Sequence, residues 1–302
     1  MSPNDLNVIE EHIVPVFSSL NVLCSLAARM MPPIYLLTAT EDSPHQDLTD
    51  SRRRLVEISD ICIRFMNDAI SKAAIFETDM EDFVEQFKLQ TRLDAWYGQL
   101  NRLVEKLETC GKPVQQDALN LLLVHYKVIY IWIRVCTIAG ETATDCYHKD
   151  FEELVNYAEQ FAKPDTERPA PQPLSFEIQI LGPLHYAALK CRHPTIRRRA
   201  LQLLKFAPRR EGLWNGHYAY VTAKRVIELE EMQLDERGLP AETSRVDESR
   251  IYNPNETPFD SRNVDFTVVP SPACPGTIEF VFQTKPLGLL GEWQTSTEYL
   301  KL

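Results

Sequence analysis

Glycine is scarce in this 302-residue chain, with ten residues in all, and neither G-x-G-x-x-G nor G-x-x-x-x-G-K occurs among them. Without such a loop the backbone cannot cradle a dinucleotide or a nucleoside triphosphate in the usual way, so nucleotide-binding α/β folds are disfavoured. Cysteine pairs are also missing. The seven cysteines are scattered, odd in number, and contain no C-x-x-C, which excludes a disulfide framework and every zinc motif built on close thiolate pairs. They read as reduced thiols of an intracellular protein. No H-E-x-x-H and no G-x-S-x-G appears, so the common metalloprotease and hydrolase signatures are absent, and no metal or other cofactor is expected. Positive charge is in deficit, 32 Lys and Arg against 43 Asp and Glu for a formal net charge of −11. Because nucleic-acid affinity rests on neutralising phosphates, direct DNA binding by this chain is not expected. The N-terminal stretch is acidic and periodic rather than basic then apolar, so no secretory signal is read there.

What the chain does contain is helical periodicity. Leu6, Ile9, Ile13, Val16, Leu20 and Leu23 predict a first helix kinked at Pro15 and closed by Pro32 and Pro33. Leu55, Ile58, Cys62, Phe65, Met66 and Ile70 share one stripe. Phe83, Phe87, Leu93, Trp96, Leu100, Leu103 and Leu107 share another. Gly111 and Pro113 stop that run, and residues 114–138 follow as the most apolar segment of the chain. It carries His125, Lys127 and Arg134, which favours a central core helix over a membrane span. A further amphipathic helix runs from Tyr147 to Ala162 through Phe151, Leu154, Val155, Ala158 and Phe161. Residues 163–174, with four prolines, form an extended connector, and Leu213 to Glu236 forms a last helix ended by Gly238. Residues 241–263 are polar and aperiodic, which predicts a flexible loop. The runs VDFTVV (264–269) and TIEFVFQT (277–284) predict a β-hairpin.

The expected fold is therefore all-α: one large multi-helix array over residues 1–240, with a small C-terminal β-hairpin and tail over 264–302 packed on the helical body.

One segment is more specific than a pattern. CRHPTIRRRALQLL followed by APRREGLWNG, carried by Cys191, Arg192, Pro194, Arg197, Arg198, Arg199, Ala200, Pro208, Arg209, Arg210, Glu211, Gly212 and Trp214, resembles the C-terminal part of the regulatory domain of fungal zinc-cluster transcription factors. His193 stands where that family usually has an acidic residue. An Asp there would cap the next helix, and His caps it poorly. The resemblance implies an all-helical regulatory domain laid out along about residues 6–285. It also implies a setting in the nucleus or cytoplasm of a filamentous fungus, with a link to secondary-metabolite gene regulation. The six-cysteine DNA-binding module of that family is not in this sequence.

Two interpretations of the basic run follow. Its arginines either pair internally with the glutamates of VIELEE and MEDFVEQ, or they present a surface to phosphate or an acidic partner. Two functional classes stay open as well. In the first, the chain is a regulatory protein working through a protein partner or as a homodimer, with a small effector held among Trp96, Tyr126, Tyr130, Trp132 and Tyr186. In the second, the same helical cavity serves a cofactor-independent cyclase or isomerase, with His185, Tyr186, His217 and Tyr220 as acid/base candidates.

Overall fold

The computed structural model describes residues 43–162, 179–207, 210–211, 214–252 and 277–301. The expected first helix with its Pro15 kink, the 163–174 connector, Pro208, Arg209, Gly212 and the expected strand 264–269 lie outside the described residues. The described chain is mainly α-helical, with seven α-helices, and its contacts divide it into two units, Met1–Thr137 and Ile138–Leu302.

In the first unit, helices α1 (Leu48–Ala74), α2 (Met80–Thr109) and α3 (Gln116–Val135) pack pairwise on one another. Asp47 caps α1 by accepting from Asp50 N at 2.8 Å. Asp79 and Asp82 form a reciprocal capping box on α2, so each satisfies donors that a helix start leaves without partners. Both helices end in the same reverse turn. At the end of α2, Gly111 has φ +65 and its N–H reaches Glu108 O, while Lys112 N–H reaches Leu107 O. At the end of α1 the equivalent left-handed position is Phe76, with φ +60, and there the bonds run from Phe76 to Ala73 and from Glu77 to Lys72. Glycine suits that conformation and phenylalanine is strained in it.

Eleven of the twenty residues of α3 are buried. It is long and apolar enough to cross a membrane, yet it serves here as the shared inner helix of the three. The stripe expected on α2 is correct from Leu93 onward and wrong before it. Asp82, Gln86 and Leu89 are buried, whereas Phe83 and Phe87 are exposed. Gln86 explains the difference: its Nε2 donates to Ile133 O at 2.8 Å and its Oε1 accepts from Thr137 Oγ1 at 3.2 Å. A polar pair therefore occupies the inner face where α2 meets the end of α3.

In the second unit a 3-10 turn (Glu141–Tyr147) leads into α4 (His148–Ala162). Helices α5 (Leu181–Lys190), α6 (Pro194–Phe206) and α7 (Gly216–Glu230) follow, with the two-residue strands β1 (Arg210–Glu211) and β2 (Trp214–Asn215) paired between α6 and α7. Helix α7 stops at Glu230, six residues before the expected Glu236. Asp235 instead organises a turn, accepting from Arg237 N and Leu239 N, and Gly238 closes it with φ +74.

The expected hairpin is corrected to a three-stranded antiparallel sheet in the order β3 (Val246–Tyr252), β4 (Thr277–Thr284), β5 (Gln294–Lys301). Strand β3 lies within what reads as the flexible loop 241–263. Strand β4 alternates, burying Ile278, Phe280 and Phe282, and the two phenylalanines cluster with Val226 of α7 and Val246 of β3. Strand β5 is mostly exposed, so it carries little hydrophobic alternation to announce it. Glu298 of β5 ties the sheet edge to α7 through Arg225, at 2.6 and 2.8 Å.

Candidate functional site

The segment from Cys191 to Trp214 joins the elements of the second unit, and each described arginine side chain in it has an internal partner. Arg192, in the turn between α5 and α6, is buried. Its Nε donates to Asp145 Oδ1 at 2.8 Å, Nη2 binds the other oxygen of that carboxylate, and Nη1 donates to Pro240 O. One guanidinium thereby holds the 3-10 turn before α4 and the turn after α7. Its planar fork makes this possible, since lysine would offer a single point of attachment.

Three consecutive arginines on α6, successive residues about 100° apart around the helix, tie it to α5, to the end of α7 and to α4. Arg197 is fully buried. It donates to Ala188 O near the end of α5 at 3.3 Å from both Nε and Nη2, and to Glu230 Oε2 at 2.5 Å. Glu230, itself with no exposed surface, also accepts from Arg245 Nη1 at 3.1 Å, and its other oxygen accepts from Val246 N at 3.1 Å. The last residue of α7 thus fixes both α6 and the first strand of the sheet. Arg198 pairs with Glu231. Arg199 spans to α4, reaching Glu159 at 2.9 and 2.7 Å and Asn156 at 2.7 Å.

The second half of the segment clamps the start of α5. Glu211 sits opposite Trp214 in the β1–β2 pair, and its buried carboxylate accepts from Gln179 N at 3.0 Å and Leu181 N at 2.9 Å. It fills the place that a local capping side chain would fill, since Ile180 supplies none. Burial raises its pKa against the opposing pull of these N–H groups. Trp214 lies over Gly182, where a side-chain carbon would stand 3.3 Å from the indole, so a larger residue there would push the ring by a few tenths of an ångström. Asn215 then caps α7, accepting from His217 N and Tyr218 N. His193, as expected, gives α6 no side-chain cap, and Pro194 opens that helix alone.

The four acid/base candidates have different neighbours. His185 on α5 is largely buried; its Nδ1–H donates to Ala219 O at 3.2 Å, which fixes the tautomer, and its ring lies 5.4 Å from that of Trp214. Burial pushes its pKa down to about 4, so at neutral pH it is an uncharged imidazole and a weak base, poorly matched to proton transfer there. Tyr186 packs 5.7 Å from Phe151 of α4. His217 is exposed at the start of α7 beside Tyr218, and Tyr220 lies one turn on, partly buried.

Of the five aromatic residues expected around an effector, Trp96, Tyr126 and Tyr130 pack together, while Trp132 lies half-buried on α3. In the first unit Trp96, Tyr126 and Tyr97 stack at centroid distances of 5.7 and 4.6 Å, and Tyr130 lies 5.5 Å from Tyr126. Trp96 donates to Ser51 O at 2.9 Å. Arg134 covers Tyr130 at 3.6 Å and pairs with Asp94. Tyr186 belongs to the second unit. Among the described residues no group of three His, Cys, Asp or Glu side chains is arranged to hold a metal ion. The buried thiols Cys62 and Cys136 are pushed up to about 12 and Cys191 to about 11, so they are inert as nucleophiles near neutrality.

No protein-family model matches this sequence, and no curated protein or solved structure matches it either.

Proposed function

We propose that the chain is a transcription-factor-like regulatory protein of a filamentous fungus that acts in the nucleus or cytoplasm by binding a protein partner. In this reading it contributes to secondary-metabolite gene regulation. The observation that carries the reading is the segment from Cys191 to Trp214. Its residues resemble the regulatory domain of fungal zinc-cluster factors, and its described arginine side chains are engaged in holding helices together rather than offered to phosphate. A regulator built this way works through its surface. The six thiolates of a two-zinc cluster are not in these 302 residues, so contact with DNA is made by another chain or by sequence outside them.

The test compares transcripts and metabolites of a deletion strain with those of His185→Ala and His217→Ala strains. Loss of the transcripts of a whole gene set on deletion, with both point variants resembling wild type, is the expected result. Accumulation of one precursor with transcripts unchanged would show a catalytic role and end the regulator reading.

A further inference from the structure

We propose that the corner where α1 meets α2 is a docking site for a basic amphipathic helix of a protein partner, a proposal that rests on the partner-dependent reading above only for its biological setting. Helix α2 has two apolar faces. One is buried, through Leu89, Leu93, Trp96, Leu100 and Leu103. The other comprises Met80, Phe83, Val84 and Phe87, spaced i, i+3, i+4, i+7, with 74, 46, 48 and 70% of their surface exposed. That spacing makes one stripe along two turns of helix, the pattern by which a helix meets a partner helix. Phe76, 57% exposed, stands in the turn between the end of α1 and the start of this stripe. Single exposed apolar residues are ordinary on a protein surface, but a contiguous patch of this kind marks an interaction surface.

Two further observations support a built site. First, the stripe borders a shallow groove between α2 and Phe65 of α1, flanked by Glu81, Glu85 and Lys88. Second, Phe76 occupies the left-handed position at the end of α1 that Gly111 occupies at the end of α2. Keeping a bulky, exposed aromatic in that strained conformation costs about 1–2 kcal/mol relative to glycine. Strain held at a surface corner with no core to fill is accounted for by a partner that uses the ring.

Charge selects the occupant. The nearby cations are already paired, Lys72 with Asp68 and Asp82, and Lys88 with Glu85. Glu77 and Glu81 are exposed in addition, which leaves the rim of the patch acidic, as the whole chain is. A helix with an apolar stripe and basic flanks complements this rim. A second copy of this chain would set two acidic rims against each other and is disfavoured for that reason.

The experiment titrates the full chain into a fluorescently labelled synthetic amphipathic helix of leucine and lysine, with a leucine and glutamate helix in parallel, reading anisotropy at physiological salt. The expected result is saturable binding of the lysine helix, at least about tenfold tighter than the glutamate helix. The double variant Phe83→Ser/Phe87→Ser weakens it at least about tenfold, without change in net charge or melting temperature. Glu81→Lys weakens binding and reduces its salt dependence. Lysine-helix binding unchanged in the double serine variant would be charge adhesion alone and would overturn the proposal, as would equal binding of the two helices. A concentration-dependent dimer in sedimentation that the double serine variant abolishes would assign the patch to a second copy instead. A negative result leaves the transcript experiment standing, while intact peptide binding with unchanged transcripts ends only the regulator reading.

Discussion

Arg197 Nη2 and Glu230 Oε2 lie 2.5 Å apart with neither side chain exposed to solvent. Residues 33 positions apart thus meet where α6, α7 and the start of β3 converge. The same carboxylate accepts from Arg245 and from Val246 N. Removing it takes the carboxylate partner from two buried guanidiniums. Glu230→Ala is therefore expected to lose about 3–5 kcal/mol of unfolding free energy, measured by urea denaturation of the second unit's signal. Arg198→Gln, whose guanidinium is mostly exposed, is expected to lose less than about 1 kcal/mol.

Glu211 acts on α5 from a distance of thirty residues along the chain. Glu211→Ala leaves the main-chain donors at the start of that helix without their acceptor, and is expected to cost about 1–3 kcal/mol. Glu211→Gln retains one acceptor oxygen and is expected to cost less. Because burial raises the folded pKa of Glu211 above its unfolded value, its carboxyl contributes stability at acid pH that is lost as pH rises through the folded value. Glu211→Gln removes that slope from the stability profile.

His185 titrates in the opposite sense. Its folded pKa, about 4, lies below the ordinary 6.5, so between these values the unfolded chain takes up a proton that the folded chain refuses. Stability contributed by the neutral imidazole is complete above about pH 6.5 and is lost as pH falls toward 4, by about 2 kcal/mol after allowance for its partial exposure. His185→Gln is expected to flatten this part of the profile in denaturation experiments run across that range.

Much of the helical framework was legible in the sequence, and the failures have physical causes. The α3 pattern and the end of α2 at Gly111 follow from periodicity and a glycine where φ is positive, and the α1 stripe is right at Leu55, Cys62 and Met66 but wrong at Ile70, which is exposed. The start of α2 was misread because Phe83 and Phe87 mimic a core stripe. The buried positions are taken by Asp82 and Gln86, whose value depends on hydrogen bonds to Asp79, Lys72 and Ile133 that no local pattern reveals. Strand β5 was missed because an edge strand with polar residues on both faces has no alternation to detect. At the signature the sequence showed arginines in number but not their partners. Asp145, Glu159, Glu230 and Glu231 are at least 33 residues away along the chain from the arginines they bind, and of these only the glutamates of VIELEE were anticipated. Glu211 as a cap for a helix thirty residues earlier had no sequence signal at all.

Phe76 offers a test of the corner between α1 and α2. Phe76→Gly relieves the left-handed strain, and is expected to stabilise the first unit by about 1 kcal/mol despite the greater freedom glycine gives the unfolded chain. The same change is expected to weaken binding of the lysine-rich helix. A gain in urea midpoint together with a loss of peptide affinity separates a residue kept for binding from one kept for packing.

The central claim is that Arg192, Arg197, Arg198 and Arg199 of the Cys191 to Trp214 segment are internal ties and not a phosphate-binding surface. Its most direct measurement is anisotropy of a labelled mixed-sequence DNA duplex titrated with the full chain at low salt, alongside an Arg198→Gln/Arg199→Gln variant. The account predicts no saturable binding by either protein, with the variant showing only a lower unfolding free energy. Saturable, steeply salt-dependent binding that the variant loses would contradict it.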